Sequence, residues 1–141
     1  LDSKGRVFVP SRWRQELGEG VVLTKGLERC LYVMASEKFE RFAGQAEGMG
    51  LERRTSRAYS RVVGSGSAEE TIDRQGRITI PPALREYAGL TKEVVLAGVL
   101  GRAEIWDRAA WNAYRTSAEG EYESIAEQLE GDQRNTGRQE E

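Results

Sequence analysis

Two short segments of this 141-residue chain set a carboxylate, a glycine and a guanidinium at one spacing: Asp2-Ser3-Lys4-Gly5-Arg6 and Asp73-Arg74-Gln75-Gly76-Arg77. An aspartate that opens a loop can accept hydrogen bonds from backbone N–H groups two or three residues on and so fix the turn. Glycine at the tip, Gly5 or Gly76, permits a positive φ that a β-carbon resists. On a loop held in this way Arg6 and Arg77 present a planar five-donor fork, suited to a phosphate or to the O6 and N7 edge of guanine. Lys4 in the first loop and Arg74 in the second add positive charge beside the fork. The same spacing also fits an ion pair that only closes a hairpin. An exposed pair contributes at most about 1 kcal/mol, a weak reason to repeat a whole loop. For Asp2 and Asp73 the expected role is structural, since a carboxylate facing a polyanion repels it.

Composition narrows the chemistry further. Histidine is absent and Cys30 is the only cysteine, which removes imidazole ligands, Ser-His and Cys-His nucleophile pairs, intrachain disulfides and Cys-cluster zinc sites. Cys30 lies in the apolar run Cys30-Leu31-Tyr32-Val33-Met34 and is expected to be a buried thiol. No catalytic, metal or cofactor site is expected. No apolar run nears the roughly 20 residues needed to cross a bilayer, and no signal-peptide pattern opens the chain, so a cytoplasmic location is expected. The net charge of −2 hides a division: 116–141 holds eight acidic and two basic residues, leaving 19 basic and 15 acidic in 1–115. A mildly basic body is followed by an acidic tail, expected to be helical over Ser117 to Leu129 and disordered from Gly131.

The elements that must position the two loops are themselves duplicated. At an offset of 71, residues 1–18 and 72–89 share six identities in eighteen positions: Asp2/Asp73, Gly5/Gly76, Arg6/Arg77, Pro10/Pro81, Arg14/Arg85 and Gly18/Gly89. About one would arise by chance. Leu1/Ile72, Val7/Ile78 and Val9/Ile80 keep apolar side chains at alternate positions, hence on one face of a strand. Each copy reads as strand, loop, strand, helix and hairpin. The strands Val7–Val9 and Ile78–Ile80 end at proline, and short helices follow at Trp13 to Leu17 and Ala83 to Ala88, with Gly18 and Gly89 as C-terminal caps. Hairpins then run through Val21–Thr24 and Leu31–Met34 in one copy, and Val94–Ala97 and Ala103–Trp106 in the other. Helices are expected at Ser36 to Ala46, Leu51 to Val62 and Asp107 to Tyr114, with Gly64-Ser65-Gly66-Ser67 as a link. A strand equivalent to Ala68–Thr71 is expected to be missing ahead of Leu1. Arg12 and Arg14, and the stripe Arg53, Arg54, Arg57 and Arg61, are read as solvated helix faces.

The string Asp-x-x-Gly-Arg-x-x-x-Pro, followed in the second copy by Leu84-Arg-Glu-Tyr-Ala-Gly-Leu90, resembles the AbrB/SpoVT swapped-hairpin superfamily. Two such units in one chain, with a helical insert and the return strand Ala103-Glu104-Ile105-Trp106 before Trp111, resemble the MraZ family. The resemblance spans Leu1 to Tyr114. It implies an α+β fold of two tandem AbrB-like half-domains, swapped-hairpin or double-psi-barrel-like, with short helices and a pseudo-two-fold relation. The organisation expected is a first repeat over 1–48, a helical linker over 49–66, a second repeat over 67–115 and an acidic tail over 116–141. Members of this family regulate transcription of the division and cell-wall gene cluster, bind short direct repeats in double-stranded DNA upstream of it, and assemble as rings. The resemblance therefore implies a homo-oligomer at the nucleoid, with Asp2, Arg6, Asp73 and Arg77 matching the family's DNA-binding motif. Ser3-Lys4 is replaced by Arg74-Gln75, so the two loops need not read DNA identically. Two other classes stay open: an antitoxin or assembly module, and a small hydrolase that uses Asp2 and Asp73 as a carboxylate pair.

Overall fold

The computed structural model describes residues 1–18 and 20–139. In chain order the elements are β1 (Arg6–Phe8), α1 (Ser11–Leu17), β2 (Gly20–Lys25), β3 (Leu31–Ala35), α2 (Ser36–Gly48), α3 (Arg54–Gly66), β4 (Ala68–Thr71), β5 (Arg77–Thr79), α4 (Pro82–Tyr87), β6 (Val94–Val99), β7 (Arg102–Asp107), α5 (Arg108–Gly120) and α6 (Tyr122–Gln139). The fold is α+β with antiparallel sheets, and its two halves are interleaved. They form one compact unit over Leu1–Arg108, and Ala109–Glu141 forms a second.

Strand pairing follows the duplication. β1 pairs with β5 in a two-stranded ribbon in which Val7 lies opposite Ile78, its own equivalent at the repeat offset. The other sheet has the order β4-β2-β3-β7-β6, so the return strands of the two copies meet at its centre, with Tyr32 opposite Glu104. β4, which precedes the second copy's loop, pairs with β2 of the first copy. Each copy thus contributes strands to the other's pairing.

Alternation in these strands builds the core. Val7, Val9, Ile78 and Ile80 are buried together with Val21, Leu23, Leu31, Val33, Ala103 and Ile105, while Phe8 between them is exposed. Leu84 of α4 and Ala88 just beyond its end close the cluster, and Trp13 and Leu17 pack against it from α1. Pro10 and Pro81 stand at the strand-to-helix corners, with φ of −54° and −56° that the proline ring already favours.

Helix ends differ from the sequence reading at several points: α2 runs to Gly48 rather than Ala46, α5 to Gly120 rather than Tyr114, and the helix expected from Ser117 to Leu129 is divided between α5 and α6. α3 begins at Arg54 rather than Leu51, because the Arg57 guanidinium binds the carbonyls of Leu51 and Glu52 at 2.8 and 3.1 Å and holds them outside the helix. It then runs through Gly64-Ser65-Gly66, where Ser65 and Ser67 hydroxyls donate to the carbonyls of Arg61 and Val63. α6 continues through Gly131 instead of ending before it, since one glycine costs a helix only about 1 kcal/mol relative to alanine.

Candidate nucleic-acid interface

The two loops have one backbone design. In the first, Asp2 Oδ1 accepts hydrogen bonds from the amides of Lys4 and Arg6, both at 2.9 Å, and Oδ2 accepts one from Arg6 Nε at 2.7 Å. In the second, Asp73 Oδ1 accepts from the amides of Gln75 and Arg77 at 2.9 Å, and Oδ2 from Arg77 Nε at 3.0 Å. The tip amides of Gly5 and Gly76 donate back to the carbonyls of Asp2 and Asp73. Both glycines have positive φ, +76° and +82°, in the left-handed region that side chains disfavour. The aspartates bind amides two and four residues on, rather than two or three.

These contacts set the charge state. The hydrogen bond from the Arg6 amide, with the Arg6 guanidinium and the Lys4 amide behind it, lowers the Asp2 carboxyl to about 2. Asp73 is lowered in the same way, chiefly by the Arg77 amide. Both oxygens of each aspartate are thus taken up by its own loop, which is the structural role expected for Asp2 and Asp73.

Each loop is also braced by the other copy. The Gly76 carbonyl accepts a hydrogen bond from the Val9 amide, and the Gly5 carbonyl one from the Ile80 amide, both at 2.8 Å. The Arg85 guanidinium of α4 lies flat against Gly5, where an added β-carbon would stand 2.7 Å from its Cζ. The Arg14 guanidinium of α1 lies against Gly76, 2.7 Å from the corresponding point. Among the described residues, Nε of Arg14 and Nε of Arg85 are buried without a hydrogen-bond partner.

The structure therefore gathers Asp2, Lys4, Gly5, Arg6 and Arg85 at one loop, and Asp73, Arg74, Gly76, Arg77 and Arg14 at the other. Lys4 and Arg74 are exposed, whereas the Arg6 and Arg77 side chains retain 24% and 21% of their accessible surface. Counting Asp2 against Lys4, Arg6 and Arg85 leaves the first loop at +2, and Asp73 against Arg74, Arg77 and Arg14 leaves the second at +2. Arg14 is the correction here: it is half-buried on a loop tip, not part of a solvated face. The Arg14/Arg85 identity at the repeat offset is the sequence signal that pointed to it. Arg53 stands at the N-cap of α3 and Arg54, Arg57 and Arg61 lie along its first eight residues, where Arg57 binds the carbonyls of Leu51 and Glu52.

The Cys30 thiol is buried, donates to the Leu27 carbonyl at 3.3 Å and is pushed up to about 12 by that burial, so it is not a nucleophile. Among the described residues no group of three or more Cys, Asp or Glu could hold a metal ion. No helix among them is long and apolar enough to cross a membrane.

A family model described as "MraZ protein, putative antitoxin-like" matches residues 1–62 and 65–134. The chain belongs to the MraZ family. Curated MraZ relatives align over most of its length. A "Transcriptional regulator MraZ" from Salinispora tropica is 46% identical over 127 residues, 90% of this chain and 89% of its own. One from Paenarthrobacter aurescens is 48% identical over 122 residues, 86% and 85% of the two chains. Another, from Carboxydothermus hydrogenoformans, is 43% identical over 129 residues, 92% and 90%. Both loops of this MraZ-family chain fall inside the matched residues.

Proposed function

We propose that this chain is a transcriptional regulator that binds double-stranded DNA through the paired loops. The observation that carries the reading is the reciprocal bracing: two equivalent basic tips, each with a neutralised aspartate at its base and an arginine from the other copy laid across it. Lys4 and Arg74 contact phosphates and set register, because they are exposed on the loop tips. Arg6 and Arg77 supply most of the base or groove readout, because Nε is used by the aspartate and the terminal nitrogens of a clamped fork keep a fixed direction. The target is the set of direct repeats upstream of the division and cell-wall gene cluster, which places the protein in the cytoplasm at the nucleoid. Two or three cations per loop give a shallow electrostatic term, so homo-oligomerisation, as a ring, brings several loop pairs to successive repeats and raises the effective concentration of each further contact.

Fluorescence anisotropy with duplex carrying those repeats, against scrambled duplex across a salt series, tests the reading. Arg6→Ala and Arg77→Ala are each expected to cost about 1–3 kcal/mol of discrimination. Lys4→Ala and Arg74→Ala are expected to weaken both duplexes alike and to reduce the salt slope by about one. No preference for the repeats at any salt would move the assignment to an antitoxin or assembly module, a reading to which the family description gives some support. In that case a protein partner, not the repeats, would be the ligand of highest affinity.

A further inference from the structure

One face of α2 and the turn of the β6–β7 hairpin border a trough of about 530 Å³ within Leu1–Arg108, inside the range of about 300–1,000 Å³ that small-molecule sites occupy. Arg41, Phe42 and Gln45 follow Lys38 along α2 by three, four and seven residues, so all four share the helix face that lines the trough. Tyr32, Met34 and the exposed Leu27 and Leu100 make much of the remaining lining apolar. No acid is found among the described residues that line it.

Three cations line this cavity, and only one of them is balanced. Arg102 Nε donates to Glu104 Oε2 at 2.8 Å with its guanidinium 4.8 Å from the centre of the Tyr32 ring, and Glu104 Oε1 accepts from Trp106 Nε1 at 2.9 Å. Both Glu104 oxygens are thereby occupied. Lys38 is half-buried and its ammonium is folded in against the hairpin turn, 2.9 Å from the point where a β-carbon on Gly101 would stand. Among the described residues it has no hydrogen bond or ion pair, and neither has Arg41 one turn further on. A lysine ordinarily extends its ammonium into water, because a cation drawn against an apolar wall without a partner costs free energy.

We propose that the trough is a binding site for a small organic anion, a ring-sized apolar body carrying a carboxylate or phosphate head. The head sits on Lys38 and Arg41, with the Gln45 amide as a neutral donor on the same helix face, and the body lies on Tyr32, Met34 and Phe42. Duplex DNA is a poor occupant, since its phosphates stand on a polar surface that would leave the apolar lining uncovered. The site uses none of the loop residues, so it stands or falls separately from the DNA reading.

The test uses the full-length chain without DNA and the dye anilinonaphthalene sulfonate, which brightens on entering an apolar site, with uncharged phenylnaphthylamine as its control. Wild type is expected to bind the sulfonate saturably at a single site and the neutral amine about tenfold more weakly. Lys38→Gln/Arg41→Gln is expected to weaken the sulfonate about tenfold and leave the amine unchanged, with helix content by circular dichroism as in wild type. Gln45→Trp, which fills the trough and keeps both cations, should weaken both dyes. Naphthoate and naphthyl phosphate should each displace the sulfonate, and the tighter of the two identifies the head group. No saturable sulfonate binding, equal binding of the two dyes, or sulfonate binding indifferent to these substitutions overturns the proposal. Displacement by neither naphthyl anion does so as well. Sulfonate binding that disappears as sedimentation velocity shows the chain associating assigns the trough to a second copy, and overturns the small-anion site.

Discussion

The two loops share a backbone and differ at their tips. Every hydrogen bond that Asp2 makes in the first loop has its counterpart from Asp73 in the second, at matching acceptor atoms and within a few tenths of an ångström. Ser3-Lys4 nevertheless stands where the second loop has Arg74-Gln75, so the first tip carries its charge one residue later than the second. The repeated residues are those whose atoms hold the turn, and the divergent ones project outward. Duplication has preserved the mount and left the contact groups free to vary.

The comparison breaks most forcefully at the glycines. Gly5→Ala and Gly76→Ala each combine left-handed backbone with a β-carbon driven into the guanidinium of Arg85 or Arg14, and are expected to destabilise the fold by about 3 kcal/mol, read by thermal denaturation. Equal losses would show that the two mounts are equivalent; tolerance at one would show that its arginine can leave. Next come Arg14→Ala and Arg85→Ala, expected to weaken DNA binding about tenfold by loosening the loop of the opposite copy. Amide shifts checked by NMR should move at Gln75 and Gly76 for Arg14→Ala, and at Lys4 and Gly5 for Arg85→Ala. A shift confined to the substituted copy would refute the cross-bracing. Converting the first tip to the second, Ser3→Arg with Lys4→Gln, sharpens the comparison: overall affinity is expected to change less than threefold while preference at one half of the site changes, as measured by competition among variant duplexes.

The smallest effect is set by pH. Both aspartates are lowered in the folded chain, so their loops are stabilised by ionised carboxylates. That contribution is complete above the ordinary carboxylate range near 4 and fades as pH falls, reaching its end for Asp2 near about 2. Amide exchange at Lys4, Arg6, Gln75 and Arg77 should therefore quicken, after correction for intrinsic rates, only in that acid window. Asp2→Asn and Asp73→Asn should abolish the dependence at their own loops.

Local patterns carried much of this into the sequence. Alternation at Val7, Val9, Ile78 and Ile80 marked strands with one buried face, prolines marked the corners, and the Asp-x-x-Gly-Arg strings marked the turns. What alternation does not encode is the partner. That β1 lies on β5, β3 on β7 and β4 on β2 depends on contacts between residues tens of positions apart, to which periodicity is blind. Arg14 was misread for that reason: its own helix is solvent-facing at Arg12 and Gln15, and the glycine that buries it belongs to the other copy. The ends of α3 were missed because they are set by side chains, Arg57, Ser65 and Ser67, that bind backbone carbonyls.

The ribbon in which Val7 meets Ile78 also constrains how the chain is made. A first half newly released from the ribosome has neither the strand that pairs with β1 nor the arginine that covers Gly5. At roughly 5–20 residues per second, the 71 residues of the repeat offset take roughly 4–14 s to translate. During that interval β1 has no partner for its backbone and the Val7 side chain has no Ile78 to pack beside it. The ribbon, and the cover that Arg85 lays on Gly5, therefore form only once both copies of the repeat have been made.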